Sequence, residues 1–312
     1  METVRKAPDR IGVLMGIASS FLWGTTFVSG RYLLREPAQI DPIALVFMRF
    51  IIGGLTAVML GSLMARRWMV LPKNVRWYEV LLPAFFLYFL MSWMLFLGQR
   101  NSSAANGALM LEVSPVLIVV VWEFLRGRKI PGREWAAVAI GSLGAVMVLG
   151  FISRDGFSTG QGGVLPNLVM FGGAISWVIG SALAKKIVPP GRSLPVTAWM
   201  MAAAGVMVIP LLLCCWSSLR FPDRASGWGA VLYMGLFPTG LAFYCWNEAV
   251  ARLELGVLTM IQFLTPVFTL VLARLLLGEE ITFFKALGMM LVLGALAVMH
   301  VHRHGKSGKA GA

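Results

Sequence analysis

A carboxylate and a helix-breaking proline interrupt one of the most apolar stretches of the sequence. The segment LMLEVSPVLIVVVWEF, at positions 109–124, contains Glu112 and, three residues later, Pro115. A carboxylate in a low-dielectric cavity can bind a proton or an ammonium group. In a helix, Pro115 also deprives the carbonyl of Leu111 of its usual partner, which puts a second polar group beside Glu112. The two residues together indicate a binding point inside an apolar layer, with a purely architectural bend as the alternative.

Arg49 is the predicted ion-pair partner of Glu112. Glu112 lies about ten residues into its apolar segment, or roughly 15 Å at 1.5 Å per residue, and Arg49 lies about eight residues into another segment. Either ion alone at the centre of a bilayer costs about 2.5 to 3.5 kcal/mol on insertion scales, so each needs a partner or water. A structural salt bridge between two helices is the alternative to a functional site.

The composition requires a membrane protein. Of 312 residues, 58% are hydrophobic and 13% are charged, and the mean hydropathy is +0.78, which is too apolar for a soluble domain. The net charge of +13 falls in short clusters between apolar runs, so it indicates topology and not nucleic-acid binding. The three cysteines and the three histidines of the C-terminal segment form no metal-ligand pattern. No cofactor and no metal is predicted.

The apolar runs predict an all-α integral membrane protein with ten transmembrane helices. Each run is close to the 20 residues that a bilayer core needs. With the N-terminus in the cytoplasm, 18 Lys and Arg residues lie on the inner side and seven on the outer side, so both termini are expected to be cytoplasmic. The predicted spans are 11–30, 42–65, 80–98, 102–124, 134–153, 162–184, 194–213, 227–250, 255–277 and 281–301.

The chain contains an internal duplication. The segment 114–130 aligns without a gap with 265–281, matching Pro115 to Pro266 at an offset of 151. The segment 21–31 aligns with 175–185, matching Trp23 to Trp177 at an offset of 154. Each copy has five spans, an odd number, so the second copy enters the membrane from the opposite side. The prediction is two inverted-topology five-helix repeats, 1–155 and 156–312, the second with a short basic cytoplasmic tail.

These features resemble the EamA-type ten-helix members of the drug/metabolite transporter superfamily. The resemblance covers about 11–301 and rests on WGTTF at 23–27, the Arg49-Phe50 pair, the two prolines and LLLGEEIT at 275–282. It implies a bacterial inner-membrane exporter of metabolites, frequently amino acids, with a central cavity between the halves. Spans one, three, four, six, eight and nine would line that cavity, and spans two and seven would gate it. The acidic pair at 279–280 has no counterpart in the first copy, and its simplest interpretation is a solvated interface charge.

Aromatic residues within the spans suggest an aromatic-lined cavity for apolar or aromatic amino acids or for amphipathic compounds. Trp23 and Trp177 are related by the repeat and are expected in its walls. The full set of predicted substrate-cavity residues is Trp23, Arg49, Tyr88, Trp93, Glu112, Pro115, Trp177, Tyr244, Trp246, Gln262 and Pro266.

The sequence predicts a secondary transporter that exports small metabolites by alternating access. A catalytic constellation is missing from the sequence, which argues against an enzyme. A non-transporting receptor or scaffold and a multidrug efflux carrier of the same fold are the alternatives. The expected partners are the lipid bilayer and a small-molecule substrate, without nucleic acid; a coupling proton and a homodimer are left open.

Overall fold

The computed structural model describes residues 9–35, 39–66, 68–112, 164–187, 193–253, 255–262, 264–291 and 293–295, with isolated positions between 132 and 147. Within these ranges the regular elements are helices. They are α1 (Arg10–Leu34), α2 (Pro42–Ala65), α3 (Trp77–Gln99), α4 (Ala104–Glu112), α5 (Val164–Ile187), α6 (Ser193–Cys214), α7 (Ala225–Arg252), α8 (Leu255–Gln262), α9 (Leu264–Leu277) and α10 (Phe283–Ala295).

Six of these helices, α1, α2, α3, α5, α6 and α7, are long and apolar enough to cross a bilayer. Their outer faces keep large apolar side chains exposed, such as Leu14 (66%), Leu55 (60%) and Leu213 (68%). An exposed apolar surface of this kind suits contact with lipid chains. The prediction of a multi-pass helical membrane protein is confirmed for this part of the chain, whereas predicted span five lies outside the described residues.

Local signals in the sequence set several helix boundaries. The Asp9 carboxylate accepts hydrogen bonds from the backbone N–H groups of Ile11 and Gly12 at 2.8 and 3.3 Å and so caps α1. Asp41 caps α2 in the same way, with Pro42 at the first helical position, where its missing N–H costs nothing. Predicted span two, at 42–65, is reproduced residue for residue by α2.

Predicted span nine, at 255–277, is described as α8 and α9, which are helical up to position 262 and again from position 264; position 263 lies outside the described residues. Proline has no N–H to donate to the carbonyl four residues earlier. Pro266, within α9, therefore leaves the carbonyl of Gln262 without its usual helical partner.

Two of the long helices change to π-helix at mid-span. These segments are Phe85–Leu90 in α3 and Gly235–Leu241 in α7. A π-segment changes the pairing of backbone groups, and in a membrane such groups must be satisfied inside the protein. Side-chain hydroxyls add hydrogen bonds there: Ser176 donates to the carbonyl of Phe86 at 2.7 Å, which also accepts from the N–H of Met91, and Thr239 donates to the carbonyl of Met234 at 2.8 Å.

Hydrogen bonds between helix ends define one face of the bundle, which we call the Leu34 end. Arg31 of α1 donates to the carbonyl of Arg100 after α3, Ser102 before α4 donates to Asn167 of α5, and Tyr32 donates to Ser226 of α7. The N–H of Asp41, which caps α2, donates to a carbonyl beyond the end of α6. Helices α1, α3, α6 and α9 therefore end at this face, and α2, α4, α5 and α7 begin at it.

Helix packing concentrates on a few pairs: α2 with α6, α3 with α5, α1 with α7, α1 with α9, and α2 with the π-segment of α7. Glycine permits the closest approach of α5 to the π-segment of α3. A Cβ atom on Gly180 would lie 2.5 to 2.7 Å from backbone and Cβ atoms of Leu87. Because those atoms are mostly backbone, they cannot move aside as a flexible side chain would.

Gly180→Ala is expected to destabilise the protein by about 1 to 3 kcal/mol, because it overpacks the contact between α5 and α3. The measurement is thermal unfolding of the purified protein in detergent. Gly229→Ala is the matched control, since a Cβ on that helical glycine meets nothing within 4 Å. Equal behaviour of the two variants would contradict the proposed close approach.

Candidate functional site

A cavity of about 70 Å³ lies in the middle of the bundle, at the level of the π-segments. On the same measure one water molecule needs about 10 to 15 Å³, so the cavity has room for several waters or for a small organic molecule of the same volume. The chain contributes residues from α1, α2, α3, α4, α5, α7, α8 and α9. They are Trp23, Thr26, Phe27, Arg49, Phe50, Tyr88, Met91, Leu95, Leu111, Trp177, Phe243, Gln262 and Thr265.

Aromatic rings form a continuous part of the cavity wall. Trp23 contacts Phe243 edge-on at 5.3 Å between ring centroids, Phe243 contacts Tyr88 at 5.5 Å, and Tyr88 contacts Phe50 at 5.6 Å. Edge-to-face pairs of this kind are favourable beyond their burial. This row of rings joins α1, α7, α3 and α2, so it provides a rigid apolar surface for a ligand.

Arg49 is the charged residue in this wall, and its side chain is almost fully buried at 5% exposure. Its Nε donates to Thr239 Oγ1 at 2.9 Å, and its Nη1 lies 3.5 Å from Ser92 Oγ. The guanidinium carbon lies 5.1 and 5.5 Å from the ring centroids of Phe50 and Phe96, which gives a cation–π contribution. Neutral hydroxyls and rings orient this cation, but they do not neutralise it.

Two buried hydroxyl groups in the wall have no partner among the described residues. These are Oγ1 of Thr26 in α1 and Oγ1 of Thr265 in α9. The amide of Gln262, at the end of α8, lies in the same wall. Buried polar atoms in folded proteins are nearly all hydrogen-bonded, so two unpaired hydroxyls in one cavity mark a place where a ligand or water is bound.

The structure brings five of the predicted cavity residues to this wall: Trp23, Arg49, Tyr88, Trp177 and Gln262. Span two, which the family resemblance implied as a gate, contributes the predicted Arg49 and also Phe50 to the lining. That a substrate binds here is still a prediction.

Four predicted residues lie outside the described lining: Trp93, Tyr244, Trp246 and Pro266. Trp246 packs behind the wall, with its ring 5.1 Å from that of Trp23, and Trp93 stacks on Phe89 at 6.0 Å. Trp246 therefore contacts a ring of the described lining, whereas the partner of Trp93 is not part of that lining.

The side chain of Glu112 and the whole of Pro115 lie outside the described residues. The described backbone puts Glu112 at the end of α4, next to Leu111 of the cavity wall. Since α2 and α4 both begin at the Leu34 end, Arg49 and Glu112 have matching depths along their helices. The proposed ion pair between them stays a prediction.

A buried polar layer between the cavity and the Leu34 end was missed by sequence reasoning. Arg31, at 3% exposure, donates to the carbonyls of Gln99 and Arg100 at 2.7 Å each. Gln99 in turn donates to the carbonyl of Phe27 at 2.6 Å. Such end-of-span residues look like interfacial charges in a sequence, and only the packing of four helix ends buries them.

Glu279 ties α9 to this layer. Its carboxylate accepts hydrogen bonds from the N–H groups of Ala104 and Ala105 at 2.8 and 3.5 Å, at the start of α4, and lies 4.0 Å from Nε of Arg31. A carboxylate at a helix N-terminus satisfies free N–H groups and interacts favourably with the helix dipole. The interpretation of Glu279 as a solvated interface charge was therefore wrong. The signal that could have revealed it is the lack of a matching acid in the first copy.

The long apolar helices and the central aromatic cavity define a multi-pass membrane protein built around a small internal binding space. Comparison with known proteins then gives its family. The model of the EamA-like transporter family matches residues 10–150 and 164–301, and the chain belongs to that family. The resemblance to the EamA-type members of the drug/metabolite transporter superfamily is thus confirmed, and membership of a transporter family argues against an enzyme.

Individual relatives are distant but match over most of their length. An uncharacterized transporter of Archaeoglobus fulgidus is 21% identical over 283 residues, 91% of this chain and 95% of its own. The aromatic amino acid exporter YddG of Ancylobacter novellus is 24% identical over 266 residues, 83% of this chain and 86% of its own. A solved crystal structure with 22% identity superposes with a TM-score of 0.61 over 92% of this chain and 96% of its own, which shows a shared fold.

Glu279→Ala is expected to lower the free energy of unfolding by about 1 to 3 kcal/mol, because α4 loses its cap and the buried Arg31 loses its nearest carboxylate. Thermal unfolding in detergent measures the change. Glu280→Ala, at the exposed neighbouring position, is the control and is expected to be nearly neutral. If both variants unfolded at the wild-type temperature, Glu279 would be an ordinary surface charge.

Proposed function

We propose that this protein is a secondary transporter that exports small metabolites, chiefly amino acids with apolar or aromatic side chains, by alternating access. The observation that carries the proposal is the mid-bundle cavity, in which a row of aromatic rings meets one buried cation and two unpaired hydroxyls. Such a cavity can hold an amphipathic molecule in the middle of a membrane. The name of the related exporter YddG supports the same substrate class.

Alternating access rests on an inverted repeat, and several observations support one. The family model matches two stretches of similar length. Trp23 and Trp177, matched by the sequence repeat, lie on helices that run in opposite directions, since α1 ends at the Leu34 end and α5 begins there. Both tryptophans line the cavity. A pseudo-two-fold axis in the membrane plane has this effect.

The π-segments add an independent argument. An offset of 151, which aligns Pro115 with Pro266, carries 85–90 onto 236–241, within one residue of the second π-segment, Gly235–Leu241. The same offset carries Leu111 onto Gln262, and both line the cavity. Local backbone distortions at equivalent positions are expected if both halves, 1–155 and 156–312, descend from one five-helix unit.

The contacts between helices are consistent with the same two-fold relation between the repeats. Under the repeat, α1 corresponds to α5, α2 to α6, and α3 to α7. The contact of α1 with α7 then corresponds to the contact of α5 with α3, and the pair α2 and α6 maps onto itself. The interface of α2 with α6 thus lies on the axis, where two similar halves can rock against each other while the cavity stays between them.

The two ends of the bundle differ in the burial of the ion pairs that join their helices. At the Leu34 end, Glu279 and Arg31 form a contact that is largely buried, with side-chain exposures of 15% and 4%. At the opposite end, Arg252 lies 3.7 Å from Asp9 across an exposed contact. Exposed ion pairs contribute little because water screens them. The described state therefore suits a carrier closed at the Leu34 end.

The orientation follows from the distribution of charge. We assign the Leu34 end to the outside of the bacterial inner membrane and both termini to the cytoplasm, because most Lys and Arg residues then face inward. Fusion of a reporter that is active on only one side of the membrane to the C-terminus tests this assignment.

Efflux from proteoliposomes loaded with labelled amino acids tests the transport function. We expect flux of phenylalanine or a related compound, and Trp177→Ala should reduce it at least about tenfold because a large apolar contact in the cavity is lost. Trp199→Ala, on the exposed face of α6, is the matched control and should keep wild-type flux. Flux of drugs but of no amino acid would favour a multidrug carrier. Specific binding without flux would favour a receptor.

The role of Glu112 has its own test. If Glu112 binds the coupling proton, an imposed pH gradient should accelerate efflux by the wild type and have no effect on Glu112→Gln. The amide keeps the size of the side chain but cannot take up a proton at neutral pH. A gradient response that is identical in both proteins would assign Glu112 a structural role. Wild-type flux that ignores the gradient would indicate a facilitator.

A further inference from the structure

The charge of the cavity indicates which chemical group it recognises. Of the described residues that line it, Arg49 alone carries a formal charge. Its hydrogen-bond partners, Thr239 and Ser92, are neutral hydroxyls, and the second contact is long at 3.5 Å. The described wall therefore has a net positive charge on a side chain that is almost fully buried, where bulk water screens it less than at the surface.

A guanidinium group offers five N–H donors in a planar fork, which matches the two oxygens of a carboxylate. Nε of Arg49 donates to Thr239, and Nη1 of Arg49 lies 3.5 Å from the hydroxyl of Ser92. The rings of Phe50 and Phe96 lie near the guanidinium carbon. These contacts hold the fork in one orientation and leave donor capacity towards the cavity. Preorganised donors of this kind favour binding, because little freedom is lost when the ligand arrives.

The unpaired hydroxyls of Thr26 and Thr265 are a second, independent sign of a ligand. Both are at least nine-tenths buried, with exposures of 3% and 5%, and both line the cavity. Their oxygen atoms can accept a hydrogen bond from an ammonium or amide group. They lie on α1 and α9, whereas Arg49 lies on α2, so the polar groups approach the cavity from different helices.

We propose that the cavity binds its substrate as a carboxylate. The anionic group lies on Arg49, the apolar body lies against the rings of Trp23, Tyr88 and Phe243, and a donor group of the substrate bonds to Thr26 and Thr265. This inference rests on the proposed transport function and narrows it. The site selects amphipathic carboxylates, amino acids among them, and rejects organic cations of the same size and shape.

A ligand series on the unmodified protein gives the first test. The four probes share a phenyl group and differ in charge: L-phenylalanine, 3-phenylpropanoate, 3-phenylpropanamide and 2-phenylethylamine. Binding to the purified protein in detergent is measured by intrinsic tryptophan fluorescence. The two carboxylates are expected to bind at least about tenfold more tightly than the amide and the amine, because hydrogen bonds to a charged group are the stronger ones. Equal or tighter binding of the amine would overturn the proposal.

Variants of Arg49 give the second test. Arg49→Gln is expected to weaken the binding of both carboxylates by about 10- to 100-fold and to leave the affinity for 3-phenylpropanamide unchanged. The affinities of Arg49→Lys for the carboxylates should fall between those of Arg49→Gln and the wild type. Arg31→Gln is the matched control, because Arg31 is equally buried but lies outside the cavity lining; it should keep the wild-type preference. If Arg49→Gln weakened all four probes alike, Arg49 would act only on the structure of the bundle.

Isosteric variants separate the two ends of the ligand. Thr26→Val and Thr265→Val each remove a hydroxyl at nearly constant volume. They should weaken the binding of phenylalanine, whose ammonium group bonds to these hydroxyls in the proposal, and leave the affinity for 3-phenylpropanoate unchanged. The same loss for both compounds would contradict the assignment of the hydroxyls.

The failure of this inference and that of the proposed function give different results. Phenylalanine efflux without any preference for carboxylates would overturn only the inference. Absence of both binding and flux for all four probes, in a protein that unfolds cooperatively, would overturn the proposed substrate class itself.

Discussion

A polar group that the bundle removes from water is costly unless it finds a partner inside the protein, and the architecture depends on this constraint. At the two π-segments, the hydroxyls of Ser176 and Thr239 donate to the backbone carbonyls of Phe86 and Met234. Thr239 also holds the guanidinium of Arg49. One side chain thus couples a backbone distortion in α7 to the charge in the cavity, so the distortion and the binding site form a single unit.

The constraint also explains why the polar layer at the Leu34 end lies where it does. Helix ends carry unpaired N–H and C=O groups, and four helices meet there. Arg31 satisfies carbonyls at the end of α3, while Glu279 satisfies N–H groups at the start of α4. Charges that would face water on isolated helices become cross-links between helices. In an inverted-repeat carrier, such cross-links would have to break before this end could open.

An imperfect repeat is what makes the cavity selective in our proposal. In that proposal the two halves share matched tryptophans and π-segments, whereas their charged residues differ. Carrying Arg49 across at the repeat offset of 151 leads to Met200, and Glu279 corresponds to Arg128 in the first half. The proposed symmetry would supply two alternative conformations of one frame, and the asymmetric side chains would decide what binds within it.

Sequence reasoning was strongest where the signal is local. Length and hydropathy located the six long membrane helices because a bilayer imposes a minimum apolar length, and Asp41-Pro42 marked the start of α2 because capping involves only neighbouring residues. The order of motifs along the chain was sufficient to identify the family. Sequence reasoning was weaker for the aromatic residues Trp93, Tyr244 and Trp246, which it placed in the cavity wall. Hydropathy does not indicate which face of an apolar helix points towards the centre of the bundle.

The sequence by itself determined that this protein is a multi-pass membrane protein and pointed to its family, because hydrophobic length, charge distribution and ordered motifs are properties of the linear chain. Tertiary structure alone decided that Thr26 and Thr265 share a cavity with Arg49, and that Arg31 and Glu279 meet in a buried layer. These groups come from helices far apart in sequence, and their burial depends on how the helices pack. No local pattern encodes that packing, since the lipid-facing and the core-facing sides of such helices are both largely apolar.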